Sequence, residues 1–199
     1  MRTPLRTQID RARLYARALR QTNVVELVRP AQLARFLRGA LRVPFGPHLA
    51  VMYHAAAHPD REALVEYAAD GVRRMTWGEL EATINRLANA LFARGVAGGR
   101  VALMLPNGSE YLIAQQALAR LGATAVQIGY RLKPGEIAYI LGNAEPRATI
   151  VHADHLAAMT EARAQVGEVG PMIVAGGAAA ATPGAGIAEW ARALAAASP

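Results

Sequence analysis

The chain has no cysteine, a single lysine and few aromatic residues. The missing cysteine excludes a disulfide framework, a thiolate metal site and a cysteine nucleophile. Lys133 is the sole lysine among 22 basic residues, so a loop that holds phosphates through a lysine has one candidate only. At 6% aromatic, the core must be packed mostly by Ala, Leu and Val. No apolar run is long enough to span a membrane, and the N-terminus has no compact apolar segment of the secretory kind. These absences lead us to expect a cytoplasmic protein. With 199 residues, 53% of them hydrophobic, the chain is long enough for one domain with a real core.

What is present is charge, concentrated at one end. Residues 1–45 hold ten arginines against Asp10 and Glu26, a balance of +8, and the remainder carries −1. The basic character belongs to an N-terminal extension and not to the body at 46–199, so no nucleic-acid partner is expected. Residues 5–20 are rich in helix formers. Pro30 suits the first position of a second helix. Within "PAQLARFLRGALR", Leu33, Phe36, Leu37, Ala40 and Leu41 follow helical spacing, with Arg35, Arg38 and Arg42 on other faces. Two readings of this segment stand: a solvated helical extension packed on the body, or an interfacial helix resting on anionic lipid at the inner membrane face. In the second, Arg35, Phe36, Arg38 and Arg42 are the membrane-contact candidates.

The body opens with a helix from His48 that Pro59 closes. "REALVEY" and "VRRMT" alternate as a hairpin around Ala69-Asp70-Gly71. Thr76 and Glu79 form a capping box, and Leu80, Ile84, Leu87, Ala88 and Leu91 lie on one face of the helix it starts. "RVALML" reads as a strand buried on both faces. From there strands and helices alternate: helix 110–121, strand "ATAVQI", a helix from Pro134 to about Asn143, strand "RATIVH", helix 156–166, strand "MIVA" and a last helix beginning at Ile187. That alternation predicts an α/β fold, a partial doubly wound parallel sheet with flanking helices and a small hairpin.

Three blocks carry a family resemblance: "HPDREALV" (58–65), residues 75–128 from "MTWGELEATINRLANALFARGV" to "LGATAVQI", and "LKPGEIAYILGNAEPRATIV" (132–151). In this order they resemble the AMP-forming adenylating enzymes, which include acyl-CoA synthetases, luciferases and peptide-synthetase adenylation domains. The fatty-acid acyl-CoA synthetases look closest. One local departure is Gly129-Tyr130 before Arg131, where many relatives have Asn-Pro or Asn-Thr. The resemblance implies ligation of a carboxylic acid to coenzyme A through an acyl-adenylate, with ATP and Mg²⁺. It also implies a phosphate loop of the form S/T-S-G-T-T-G-x-P-K-G, a Glu for the metal, an Asp for the ribose and a Lys from a small C-terminal domain. None of these appears in the 199 residues, so the chain alone is expected to be inactive, with no catalytic, cofactor or metal residues of its own. The implied partners are the remainder of such an enzyme or a second copy. A non-catalytic membrane-surface or partner-binding module is the rival reading.

Other constellations are weaker. "GGAAAATPGAG" (176–186) follows a strand, but it has one hydroxyl, Thr182, and no lysine, so it reads as a linker. His54 and His58 share a helix face without a third ligand. His152-Ala153-Asp154-His155 reads as a strand-to-helix turn with Asp154 near the cap, and Asn107 and Ser109 read as helix caps.

Overall fold

A computed structural model describes residues 29–68, 71–167, 169–176 and 187–199. The expected helix at 5–20, the tip of the hairpin turn at 69–70 and the Gly/Ala-rich linker from 177 onward lie outside these residues.

The described chain opens with α1 (Pro30–Ala40) and α2 (His48–Ala57). Proline at the first position of α1 has the right φ for a helix, and the side chain of Gln32 turns back to accept from the Arg29 backbone N–H at 2.8 Å. A hairpin follows, β1 (Glu62–Ala68) against β2 (Gly71–Thr76), with an irregularity in register between Glu62 and Leu64. Then comes α3 (Trp77–Phe92), whose start is the expected capping box. Thr76 Oγ1 accepts from Glu79 N–H at 3.2 Å and Glu79 Oε2 accepts from Thr76 N–H at 2.8 Å. All five residues assigned to its inner face are buried.

The remainder is β3 (Arg100–Met104), α4 (Ser109–Arg120), β4 (Thr124–Gln127), α5 (Pro134–Ala144), β5 (Ala148–His152), α6 (Leu156–Val166), β6 (Met172–Ala175), β7 (Ile187–Glu189) and α7 (Trp190–Ala195). A single 3₁₀ turn, Ala153–His155, links β5 to α6. The strands form one parallel sheet in the order β4-β3-β5-β6-β7. Side chains alternate between two cores, as the period of two demands. Val101, Leu103, Ile150 and Ile173 face α3, α4 and α7, alongside Leu80, Ile84, Leu87, Leu91, Ile113, Leu118 and Trp190. Ala102, Met104, Val151, Met172 and Val174 face α5 and α6, alongside Ile137, Leu141 and Met159. Helices therefore cover both faces, and the doubly wound expectation holds.

The C-terminal segment departs from expectation. Residues 187–189 are not the first turn of a helix but a short strand parallel to β6, with Met172 opposite Ile187 and Val174 opposite Glu189. The cause is non-local. The open edge of β6 presents backbone donors and acceptors, and three extended residues satisfy them before α7 begins. Gly170, just before β6, sits at φ +67°, and a Cβ there would come within 2.1 Å of the Arg147 carbonyl oxygen. No other residue lets the chain pass β5 so closely.

Three polar residues are buried among the described ones: His48, Arg120 and Thr149. His48, at the start of α2, is fully buried, and neither ring nitrogen has a protein hydrogen-bond partner. Burial and the nearby Arg120 guanidinium push its pKa below the ordinary 6.5, while Glu81 and the Pro44 carbonyl, which falls short of hydrogen-bond geometry, act the other way. A histidine with a lowered folded pKa takes up its proton more readily when unfolded. Stability should therefore be complete above pH 6.5 and fall as pH drops from there toward the lowered folded value. His48→Leu should flatten that decline, as read from urea midpoints between pH 5 and pH 8. An unchanged slope would assign the acid sensitivity to other groups.

Candidate functional site

In a doubly wound sheet, ligands collect where the strand order reverses, outside the carboxyl ends of the strands. Here the reversal lies between β3 and β5. Residues 105–109 after β3 and 153–155 after β5 frame the crevice, with Gly176 following β6.

The N-terminus of α4 opens onto this crevice, and a bare helix N-terminus attracts anions. This one is filled from within. The carboxylate of Glu66, on β1, accepts from the Ser109 backbone N–H at 2.9 Å and from Ser109 Oγ at 2.8 Å. Neither Asn107 nor Ser109 is the cap expected from sequence, because the cap position falls on Gly108, which has no side chain to offer. A second carboxylate, Glu110, accepts from the Gly176 backbone N–H at 3.0 Å. Two backbone donors at the crevice, those of Ser109 and Gly176, are thus already taken by carboxylates. No group of three potential metal ligands occurs among the described residues. At Ser109 and Gly176 a triphosphate would face a carboxylate in place of a free backbone donor. Glu66→Ala should lower stability by about 1 kcal/mol, the usual value of a lost cap. Thermal unfolding of the two proteins would measure it, and an unchanged midpoint would show that solvent replaces the carboxylate without loss.

Three further histidines, His54, His152 and His155, are occupied. His152 Nδ1 accepts from the Asp154 backbone N–H at 3.3 Å, so His152 and not Asp154 caps the turn after β5. The Asp154 carboxylate, 3.3 Å from the same nitrogen, becomes an ion-pair partner only when the ring is protonated. Gly176 (φ +74°) passes so close over His152 that a Cβ would lie 2.0 Å from Nε2. His155 stacks on Tyr130 at 5.4 Å between centroids, with the Arg131 guanidinium 5.7 Å from the Tyr130 ring. His54 stacks on Trp77 at 4.7 Å. Each is committed to packing or capping. The departure noted at residues 129–131 is thereby given a structural role: Tyr130 is the platform for His155.

The basic helix α1 lies on α2 through a narrow contact. Phe36 meets Tyr53 edge to face at 5.7 Å, and Gln32 Nε2 donates to the Ala57 carbonyl at 2.8 Å. Phe36, grouped with the arginines in the sequence reading, thus turns toward the body. Arg35, Arg38 and Arg42 are exposed. So are four apolar residues at four-residue intervals: Leu33 (42% exposed), Leu37 (48%), Leu41 (86%) and Phe45 (98%).

Comparison with known proteins decides the family. The model of the AMP-binding enzymes matches residues 51–194. The chain belongs to the AMP-binding enzyme family. Long-chain-fatty-acid–CoA ligase FadD13 of Mycobacterium tuberculosis (strain ATCC 25618 / H37Rv) is 38% identical over 112 residues, 56% of this chain and 22% of that relative. The 3-hydroxybenzoate–CoA ligase of Aromatoleum sp. (strain CIB) is 32% identical over 107 residues, 53% of this chain and 20% of that relative. Among solved structures, a Mycobacterium tuberculosis fatty acyl CoA synthetase superposes with a TM-score of 0.62 at 31% identity, covering 74% of this chain and 28% of that one. The anthranilate CoA ligase AuaEII, in complex with anthranoyl-AMP, superposes with a TM-score of 0.66 at 24% identity over 80% of this chain and 29% of that one. This AMP-binding chain therefore spans about a fifth of the curated relatives it matches. Its fold is one shared with the N-terminal domains of adenylating enzymes.

Proposed function

We propose that the chain is the first portion of an ATP-dependent, AMP-forming acid–CoA ligase that takes a fatty acid. It carries no adenylation chemistry alone, and the remainder of the enzyme supplies the phosphate loop, the metal ligand and the C-terminal lysine. The observation that carries this reading is the match over residues 51–194 to the AMP-binding enzymes, among whose members similar to this chain are acid–CoA ligases. The fatty-acid substrate rests on the similarity to FadD13 and to the fatty acyl CoA synthetase. Support also comes from the crevice, where Glu66 and Glu110 already hold the backbone N–H groups of Ser109 and Gly176, which favours a nucleotide site built elsewhere. The test is the coding DNA that follows codon 199. A loop rich in Ser, Thr and Gly with a lysine should be encoded shortly downstream, in frame or in a neighbouring frame. The longer product should catalyse fatty-acid-dependent exchange of pyrophosphate into ATP. A long downstream stretch without such a loop would defeat the proposal and favour a non-catalytic module.

A further inference from the structure

The sequence between Glu26 and Asp60 contains no acidic residue. It does contain Arg29, Arg35, Arg38 and Arg42, and the structure exposes the last three on α1 and its C-terminal end. At about 3.6 residues per turn, Leu33, Leu37 and Leu41 fall in one sector of the helix and the three arginines in the adjoining sector. The third sector, with Gln32, Phe36 and Gly39, rests on α2. There a Cβ on Gly39 would lie 2.8 Å from Met52 Cε, so the helix is seated closely. The helix is therefore fixed in rotation by its inner contacts. Its outer apolar row, extended by Phe45 just beyond the helix, faces away from the body.

We propose that this row is a docking surface for an anionic lipid bilayer. Leu33, Leu37, Leu41 and Phe45 enter the headgroup–acyl boundary, and Arg35, Arg38 and Arg42 reach lipid phosphates from the flank. The chemistry on the page selects this occupant. A helix with apolar residues on one face and arginines beside them, and with little net hydrophobicity, lies in the interface plane and does not cross it. No helix among the described residues is long and apolar enough to cross a membrane. Arginine stems are long enough to lie along apolar surface while their guanidinium groups stay at headgroup depth. A second copy is disfavoured, because a two-fold interface through this row would set arginines against arginines with no acid in the segment to offset them. The docking is independent of the catalytic reading, because it requires neither nucleotide nor the rest of an enzyme.

The test is co-sedimentation of the full chain with vesicles of phosphatidylcholine alone and of phosphatidylcholine mixed with phosphatidylglycerol. Binding to the anionic vesicles should exceed binding to the zwitterionic ones by at least about tenfold and collapse at about 0.5 M salt. Arg38→Gln with Arg42→Gln should weaken it about 25-fold, near fivefold for each arginine. Leu41→Ser with Phe45→Ser keeps the charge and removes two nearly fully exposed side chains. It should cut binding at least about tenfold while leaving the melting temperature unchanged. Equal binding by the Leu41/Phe45 variant would overturn the proposal, since charge alone would then explain it. Equal binding to both vesicle types would overturn it too. So would sedimentation velocity without vesicles showing a dimer that the Leu41/Phe45 variant dissolves, because the row would then be a self-association surface.

Discussion

Glu81→Ala is expected to cost about 3 kcal/mol of stability, while Glu81→Leu combined with Arg120→Leu should return to within about 1 kcal/mol of the parent. Arg120 comes from α4 and is buried between α3 and the segment that leads into α2. Its guanidinium donates from Nη1 to Glu81 Oε1 at 2.9 Å, from Nη2 to Glu81 Oε2 at 2.5 Å, and to the Asn85 side-chain oxygen. Its Nε has no protein partner. Glu81 is more open, with its side chain 21% exposed. Removing the carboxylate leaves a cation in a site that water reaches poorly. Removing both charges leaves only packing to adjust. Urea denaturation of Glu81→Leu, Arg120→Leu and the double variant measures the coupling, and single effects that simply add would refute the paired-charge account. The loss should extend to α2, since His48 lies close enough to feel the Arg120 charge.

Pyrophosphate exchange into ATP by the 199-residue chain should stay at background across a panel of fatty acids. Adenylate formation gathers negative charge on the departing pyrophosphate, and a donor-rich loop with a cation must meet it. In this chain the cations are arginines and one lysine, and Lys133 stands at the N-cap of α5, outside the loops that follow β3 and β5 in the sequence. At the crevice itself the helix N-terminus of α4 is held by Glu66, and the first donor after β6 is held by Glu110. A phosphate approaching either position meets a carboxylate. Exchange that depends on added acid and survives repurification would show that this surface can be remade around a nucleotide.

Legibility in the sequence tracked the distance over which each feature is determined. The start of α3 was readable because both partners of its cap lie within four residues, and its buried face because the helical period repeats within the same sixteen. β3 was readable because its central residues face helices on both sides and must all be apolar. The short strand β7 was not readable. Ile187–Glu189 has no local strand pattern and is held extended by the edge of β6. Glu66 was equally hidden. It stands 43 residues from Ser109, and a glutamate on a hairpin gives no sign that it will cap a distant helix. The apolar positions of α1 were visible as one group, but only the seat on Tyr53 separates Phe36, turned inward, from Leu33, Leu37 and Leu41, turned out.

The strand order bears on how such a chain is made. Ribosomes deliver residues from the N-terminus at a pace far slower than local folding. β3 and β4 emerge first and pair with each other, and β5 then adds beside β3, β6 beside β5 and β7 beside β6. From β4 onward each strand as it appears finds one neighbour already synthesised: β4 closes one edge of β3, and growth then runs outward from the other edge through β5, β6 and β7. The nascent protein is thereby spared the long interval of unpaired β-structure in which parallel sheets are prone to misassociate.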